Sequence, residues 1–410
     1  MRILLVTQYF PPETGAAQNR LGDLATRLAD CGHAVTVVTS VPNYPHGRIF
    51  DGYRGRWLTE ERLGRVRVIR TWVYTSVTKG FVNRLANYFS FVLSSAIAGA
   101  FRVGRQDWII VELPPLFLGL SGMVLRMLKR GRLLLNVSDL WPASAVALGV
   151  LRNGLLFRLS TQLELALYRH ADAITGQTRG IVDDIRARCP DTPVALMTNG
   201  VDVRAFRDDS AGGGGEAFRK EIGLGDQFVV GYAGLHGLVY GLSTVLEAAR
   251  LLRDVGDVVF VFVGDGPERE RLRGAAHAAR LTNVRFVPSQ PASRMRAVWA
   301  AFDAALVPLR RERFFEGTLP SKMFEAMAAG LPIIASVQGE ARAVIEAAGA
   351  GISVEPEDAL GIADAVRRLR GDRAYRASLG NNGRRHVMEH YDRARIARSF
   401  ESFLLSSEAT

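Results

Sequence analysis

Lys322 stands in the first turn of a segment that reads as a helix, GTLPSKMFEAMAAG from Gly317 to Gly330. Pro320 suits the first helical position, Met323, Phe324 and Met327 supply an apolar face, and Gly330 stops the helix before the next strand. A cation in that first turn opposes the helix dipole by roughly 0.3–1 kcal/mol, and the opposition vanishes when an anion sits between the ammonium and the free N–H groups. That arrangement predicts a phosphate. Ser321 and Glu325 are four residues apart and share one helical face. A hydroxyl beside the phosphates and a carboxylate further along can therefore address a single ligand, and a carboxylate that accepts two hydrogen bonds suits the ribose diol of a nucleotide. The alternative is a solvated Glu325 on an amphipathic helix, with the lysine there by chance.

Three further segments carry chemistry-bearing residues directly after apolar runs of strand length. Val258 to Val263 leads into GDGPERERL, in which Gly264 and Gly266 make a tight turn and Asp265 is expected to cap a helix beginning at Pro267. That explains the segment with or without a ligand, so these glycines either shape a site or touch its occupant. Leu133 to Val137 leads into SDLWPASA, where Asp139 either deprotonates or orients an acceptor hydroxyl, or caps the next helix, while Trp141 and Pro142 wall a pocket. The first apolar run leads into QYFPPETGAAQNR, Gln8 to Arg20, which contains Glu13 and Gly15. Its glycine and alanines permit close backbone approach to a ligand at a helix start, or the loop is merely stiffened by its prolines. It is not GxGxxG, so the dinucleotide fingerprint is missing.

The elements that must position these residues follow one pattern, short apolar runs alternating with stretches of helical period, which is the signature of parallel βαβ units. The runs are Ile3 to Val6, Ala34 to Thr39, Val66 to Thr71, Trp108 to Val111, Leu133 to Val137, Ala173 to Thr175 and Val194 to Met197 in the first half. In the second half they are Phe228 to Ala233, Val258 to Val263, Val284 to Val287, Ala304 to Val307, Ile333 to Ala335 and Ile352 to Val354. Two doubly wound α/β domains are expected, 1–200 and 217–385, joined by a linker over 201–216 that includes the glycine stretch Gly212 to Gly215. Beyond Gly371 the chain reads as helices, Asp372 to Glu389 and Asp392 to Leu405, with 386–410 expected to pack back on the first domain. In such sheets ligands sit outside the carboxyl ends of strands, near helix N-termini.

Composition narrows the partners. Fifty-two Lys and Arg against 41 Asp and Glu leave a net charge of +11, which favours anionic partners. No basic stretch is interleaved with aromatics and no zinc-finger or RNA-recognition signature occurs, which argues against nucleic acid. Two cysteines, Cys31 and Cys189, in no metal-ligand spacing, fit a reducing cytoplasm. The opening apolar run is too short for a secretory signal. Leu85 to Phe101 is 17 residues without a charge, bounded by Arg84 and Arg102. It falls short of a bilayer span, leaving a buried helix or a surface-docked one assisted by Arg126, Lys129, Arg130 and Arg132.

Taken together, QYFPPETGAAQNR, the run Gly32 to Gly47 (GHAVTVVTSVPNYPHG), SDLWP, TNGVD at Thr198 to Asp202, GDGPERERL and PSKMFEAMAAGLPIIAS resemble the family 4 glycosyltransferases of the GT-B fold. The subgroup is the one that builds bacterial surface polysaccharides such as O-antigen. The resemblance implies two facing Rossmann-like domains with an interdomain cleft. It implies transfer with retention of an N-acetylated or deoxy hexose from a nucleotide diphosphate sugar, UDP-linked by family analogy. The acceptor would be a glycan or a lipid-diphosphate-linked saccharide, and neither metal nor cofactor is required. By position Glu325 matches the family's ribose-binding glutamate, and Ser321 and Lys322 fall where the subgroup meets the diphosphate. Gly234, His236, Gly264, Gly266, Gly317 and Gly15 complete the implied donor side, and Glu13, Asp139 and Trp141 the acceptor side. Lys322 and Glu325 are the catalytic residues it implies; the family's usual histidine of the first domain is not evident, and Asp139 of SDLWP, which occupies that region, is the candidate catalytic residue on the acceptor side.

Two departures accompany the resemblance. The family's first glutamate would fall at Gly317, and AGLHGLVYGL, Ala233 to Leu242, holds His236 and Tyr240 but no Lys or Arg, which leaves Lys322 to meet the diphosphate alone. A nucleotide-sugar epimerase of the same fold is one rival reading. A non-catalytic protein that binds nucleotide sugar or an anionic membrane surface is the other. The expected location is the cytoplasm, either free or peripheral on the inner face of the cell membrane.

Overall fold

A computed structural model describes residues 1–44, 47–78, 80–147, 154–206 and 213–408. Pro45 and His46 of the PNYPHG string and Gly212 of the glycine stretch lie outside the described residues. The chain divides into two compact units, Met1–Asn199 with Arg393–Thr410, and Gly200–Asp392.

In chain order the first unit contains β1 (Arg2–Val6), α1 (Ala16–Asp30), β2 (Ala34–Ser40), β3 (Leu58–Leu63), β4 (Val66–Thr71), α2 (Phe81–Arg102), β5 (Trp108–Leu113) and α3 (Leu118–Lys129). It continues with β6 (Arg132–Val137), α4 (Ala143–Ala147), α5 (Leu155–His170), β7 (Ala173–Gly176), α6 (Arg179–Arg188) and β8 (Val194–Leu196). The strands lie side by side as β3-β4-β2-β1-β5-β6-β7-β8, with Ile3 opposite both Val35 and Trp108. Every described pairing is parallel except β3 with β4.

The apolar runs read from sequence all become strands, with ends shifted by no more than two residues. β3 was not expected. Its sequence, LTEERL, has no apolar run, and it exists because a turn at Gly64, φ 58°, folds it antiparallel onto β4 at the sheet edge. Charged side chains at an edge are the usual protection against further strand pairing.

The second unit runs α7 (Gly214–Glu221), β9 (Phe228–Ala233), α8 (Leu242–Leu251), β10 (Val258–Val263), α9 (Arg269–Ala278), β11 (Val284–Val287), α10 (Met295–Ala300) and β12 (Ala304–Pro308). It ends with α11 (Ser321–Ala328), β13 (Ile333–Ser336), α12 (Gly339–Ala348), β14 (Gly351–Val354), α13 (Ala359–Gly371) and α14 (Arg373–His390). Its parallel sheet has the order β11-β10-β9-β12-β13-β14. α15 (Arg393–Glu408) belongs to the first unit, burying Phe400 and Leu404 with Ile3, Leu5 and Leu21 while Glu401 meets His33 at 2.8 Å.

Both sheets are covered on both faces, which is why their strands read as continuous apolar runs rather than alternating ones. In β9, Val229 and Ala233 enter one core and Phe228, Val230 and Tyr232 the other. The strand order reverses direction between β1 and β5 and between β9 and β12. Crevices outside the carboxyl ends of strands at such points are where ligands bind in doubly wound sheets.

Candidate active site

In the second unit, the loops after β9 and β10 interlock through backbone. A side-chain carbon at Gly264, φ 145°, would overlap the Gly234 carbonyl oxygen, and one at Gly266, φ 154°, would strike the His236 backbone. Only glycine serves at either place. His236 N–H donates to the Asp265 carbonyl at 2.8 Å and Glu268 N–H to the His236 carbonyl at 3.0 Å. Asp265 does not cap the following helix, contrary to the sequence reading. Its carboxylate takes the Gly266 N–H at 2.7 Å, and α9 starts at Arg269 with no side-chain cap. Likewise Pro320 is the residue before α11 rather than its first helical residue.

Lys322, in the first turn of α11, is turned inward and buried. Its Nζ lies 3.8 Å from the ring centroids of both Tyr232 and Tyr240 and has no hydrogen-bond partner. Gly234 passes so close that a side-chain carbon there would sit 3.0 Å from Nζ. Burial pulls the Lys322 ammonium well below its ordinary pKa, and Glu325 offsets this only in part. The two rings favour the charged form, on the order of 2 kcal/mol or more for a desolvated contact. An amine so enclosed gains strongly from an arriving anion. Glu325 accepts a hydrogen bond from Trp299 Nε1 at 2.9 Å, which orients its carboxylate. Ser321 is half-buried beside it, and Gly317 ends a 3-10 turn over Arg313–Gly317 where a side-chain carbon would meet nothing within 4 Å.

His236 is fully buried among Tyr232, Phe262 and Phe286, and neither ring nitrogen has a partner. Burial, then the charges of Arg269 and Lys322, lower its pKa to about 4. The structure thus adds Arg269 to the group, a residue that sequence reasoning passed over. The signal was present: Arg269, like Lys322, is a cation in the first turn of a helix, placed against the dipole.

A testable acid sensitivity follows. The folded pKa of His236 lies below the unfolded value of 6.5, so the unfolded chain binds more protons between the two. The stabilisation by neutral His236 is complete above pH 6.5 and lost as pH falls towards 4, with a limit of roughly 3 kcal/mol. Melting temperature against pH should therefore fall more steeply in the wild type than in His236→Leu across that window. Parallel curves would show that His236 is not held neutral.

In the first unit, Asp139 follows β6 and is half-buried. Burial raises its carboxyl pKa, against the hydrogen bonds from the Ser144 side chain and the Leu140 N–H. Both bonds are local, one to the next residue and one to a side chain of α4, and neither takes a free backbone N–H of that helix, so they are not the cap expected from sequence. Trp141 sets its ring edge on Phe117 at 5.6 Å. Glu13 is 1% exposed and its carboxylate is occupied by three backbone N–H groups, those of Asn43 at 2.7 Å, Tyr44 at 2.8 Å and Phe10 at 3.2 Å. It holds two loops together and offers little to a ligand. Gly15 precedes α1 in extended backbone that any residue adopts, and a side chain there would meet only the amide of Gln18.

The structure brings Gly234, His236, Gly264, Gly266 and Lys322 into one cluster, with Glu325 on the same helix as Lys322. Residues 15–200 match the family described as glycosyl transferase 4-like domain, and residues 215–386 the family described as glycosyl transferases group 1. Over its whole length the chain is 27% identical to a GDP-mannose-dependent alpha-(1-6)-phosphatidylinositol monomannoside mannosyltransferase of Mycobacterium tuberculosis, covering 99% of it. It is 27% identical over 90% of its length to the candidate colanic acid biosynthesis glycosyl transferase WcaI of Escherichia coli (strain K12), covering 92% of that protein. Sucrose-phosphate synthase from Thermosynechococcus elongatus has the same fold, with a TM-score of 0.77 at 20% identity, 100% of this chain and 99% of that one being covered. Anabaena HepE in complex with UDP-glucose aligns with a TM-score of 0.73 at 16% identity, over 99% and 100% of the two chains. With both halves matched in order and two parallel α/β sheets present, the chain belongs to the family 4-like glycosyltransferases of the GT-B fold.

Proposed function

We propose that this glycosyltransferase takes its sugar from a nucleotide diphosphate sugar held by the second unit and passes it, with retention and without a metal ion, to a glycan or lipid-linked saccharide hydroxyl. The observation that carries the reading is the buried Lys322 amine, without a hydrogen-bond partner, beside the glycine turns of β9 and β10. In this scheme the bond between the sugar's anomeric carbon and the diphosphate breaks as the acceptor oxygen bonds to that carbon from the same face. The acceptor proton leaves with the departing phosphate oxygen, and Asp139 orients the attacking hydroxyl. Charge developing on the diphosphate is met by Lys322, Arg269 and the helix N-termini, fixed groups that need not reorganise as the reaction proceeds. Glu325, already oriented by Trp299, takes the ribose hydroxyls. UDP is the nucleotide favoured by resemblance to the surface-polysaccharide subgroup. One relative is named as GDP-mannose-dependent, so both nucleotides belong in the test.

Thermal stabilisation by UDP, GDP and their sugars is the direct measurement, because a ligand present at about 100 times its Kd stabilises by about 2.7 kcal/mol. One nucleotide series should stabilise the wild type, with the shift lost in Glu325→Ala. Turnover should survive a chelator. A folded wild type unmoved by every nucleotide would sink the donor assignment.

A further inference from the structure

We infer that the outer face of α2, α3 and the start of α5 is a docking surface for an anionic lipid bilayer, joined by a row of aromatic rings to the Asp139 loop, so that an amphiphilic acceptor is presented from the membrane. These three helices lie on one face of the first sheet, where they bury Phe91 and Ala98, Leu118 and Leu125, and Leu167, whereas α1 and α15 cover the other face. Their inward sides are therefore satisfied. Their opposite sides are also apolar. On α2, Phe89, Leu93, Ile97 and Phe101 recur every four residues, and Phe101 is 84% exposed. On α3, Val124, Met127 and Leu128 continue the surface, and on α5 Leu155 and Leu159 are exposed. α2 packs on α3 and α3 on α5, so the stripes belong to one layer. Isolated exposed apolar residues are ordinary, but a surface continued over three helices marks an interaction site.

Charge selects the occupant. α2 and α3 contain no Asp or Glu, and the one acidic residue of α5, Glu164, is buried and bound to Arg188 and Tyr168. The exposed charges on the layer include Arg84, Arg102 and Arg158, all cationic. Two copies docked face to face about a two-fold axis would set arginine against arginine. An anionic bilayer takes both the apolar stripe and the basic rim. Among the described residues no helix is long and apolar enough to cross a membrane, so the layer would lie on the surface.

The face is continuous with the acceptor side. Phe89, on the α2 stripe, contacts Phe117 at 4.6 Å between ring centroids, and Phe117 contacts Trp141 at 5.6 Å, two residues beyond Asp139. An acceptor with an apolar tail can leave the tail in the bilayer and bring its saccharide along these rings. That last step rests on the transferase reading above, whereas bilayer docking does not.

Sedimentation of the full chain with vesicles tests the docking, without any donor present. Vesicles of phosphatidylcholine with phosphatidylglycerol should carry the protein down, pure phosphatidylcholine should carry much less, and high salt should release part of it. The double variant Leu93→Glu with Ile97→Glu should bind on the order of tenfold more weakly or worse, while its nucleotide-induced thermal shift stays as in the wild type. Equal binding to both lipids, no binding, or unchanged binding by the variant overturns the proposal, as does a concentration-dependent dimer that the variant abolishes. Loss of nucleotide stabilisation with vesicle binding intact would instead remove the donor reading. For the ring row, Phe117→Leu should raise the KM for a lipid-linked acceptor relative to a water-soluble one at unchanged vesicle binding. An unchanged ratio removes that part.

Discussion

Replacing Lys322 with methionine is expected to lower kcat/KM by a hundredfold to a thousandfold, about 2.7–4 kcal/mol of transition-state stabilisation, without lowering the melting temperature of the ligand-free protein. The two halves of this expectation have one cause. The Lys322 amine is buried between Tyr232 and Tyr240 with no hydrogen-bond partner. Leaving such a group unsatisfied costs about 1–3 kcal/mol and taking an ammonium out of water costs several kcal/mol, which the contact with two rings, on the order of 2 kcal/mol or more, offsets only in part. Methionine of similar length keeps the packing and discards the desolvated amine, so stability should hold or rise as activity falls. Steady-state kinetics and thermal unfolding on the same preparation decide it. If the variant unfolds at lower temperature and keeps its activity, Lys322 is a structural residue and the diphosphate site lies elsewhere.

The second large effect concerns the first unit. Arg20, from α1, is 7% exposed and donates to Glu112 at 2.5 Å, to Ser138 Oγ at 2.9 Å and to Asn199 at 3.1 Å. Glu112, equally enclosed, also accepts from Asn136 and Ser138. Gln177 closes the network, donating to Ser138 at 2.6 Å and accepting from Asn199 at 3.2 Å. The ends of β5 and β6 and the loops after β6, β7 and β8 are thereby tied to one helix, directly before Asp139 in the chain. Arg20→Ala leaves Glu112 buried and unpaired, and is expected to cost about 3–5 kcal/mol. Arg20→Met combined with Glu112→Leu should recover much of that loss, because both charges leave together. Denaturant unfolding of the single and double variants measures the difference. A loss below about 1 kcal/mol for Arg20→Ala would mean that water reaches Glu112 and that the network does not hold the Asp139 loop.

Glu13 and Asp265 show where reading residues in order falls short. Each is an acid in a loop that follows a strand, and the sequence suggests an acceptor contact for the first and a helix cap for the second. Glu13 instead gathers backbone N–H groups from residues 30 and 31 positions away, and Asp265 takes its immediate neighbour. A carboxylate accepts any donor within reach, and which donors come within reach depends on chain segments that its own neighbourhood does not specify.

The strands of both sheets were legible from sequence because a strand covered on both faces must be apolar throughout, and that demand falls on consecutive residues. Lys322 was legible for a similar reason, since the conflict between a cation and the first turn of a helix is local. β3 was not, because an edge strand exposed to water carries no such demand and is defined by pairing with β4. Nor was the enclosure of Lys322 by Tyr232 and Tyr240, or the approach of Arg269 to His236. These contacts join β9 and the loop after it to the first turns of α9 and α11, which follow β10 and β12, and they exist only once strand order has brought the carboxyl ends of those three strands together. Local composition decides which residues are buried and in what element, but the partner a buried charge meets is set by topology.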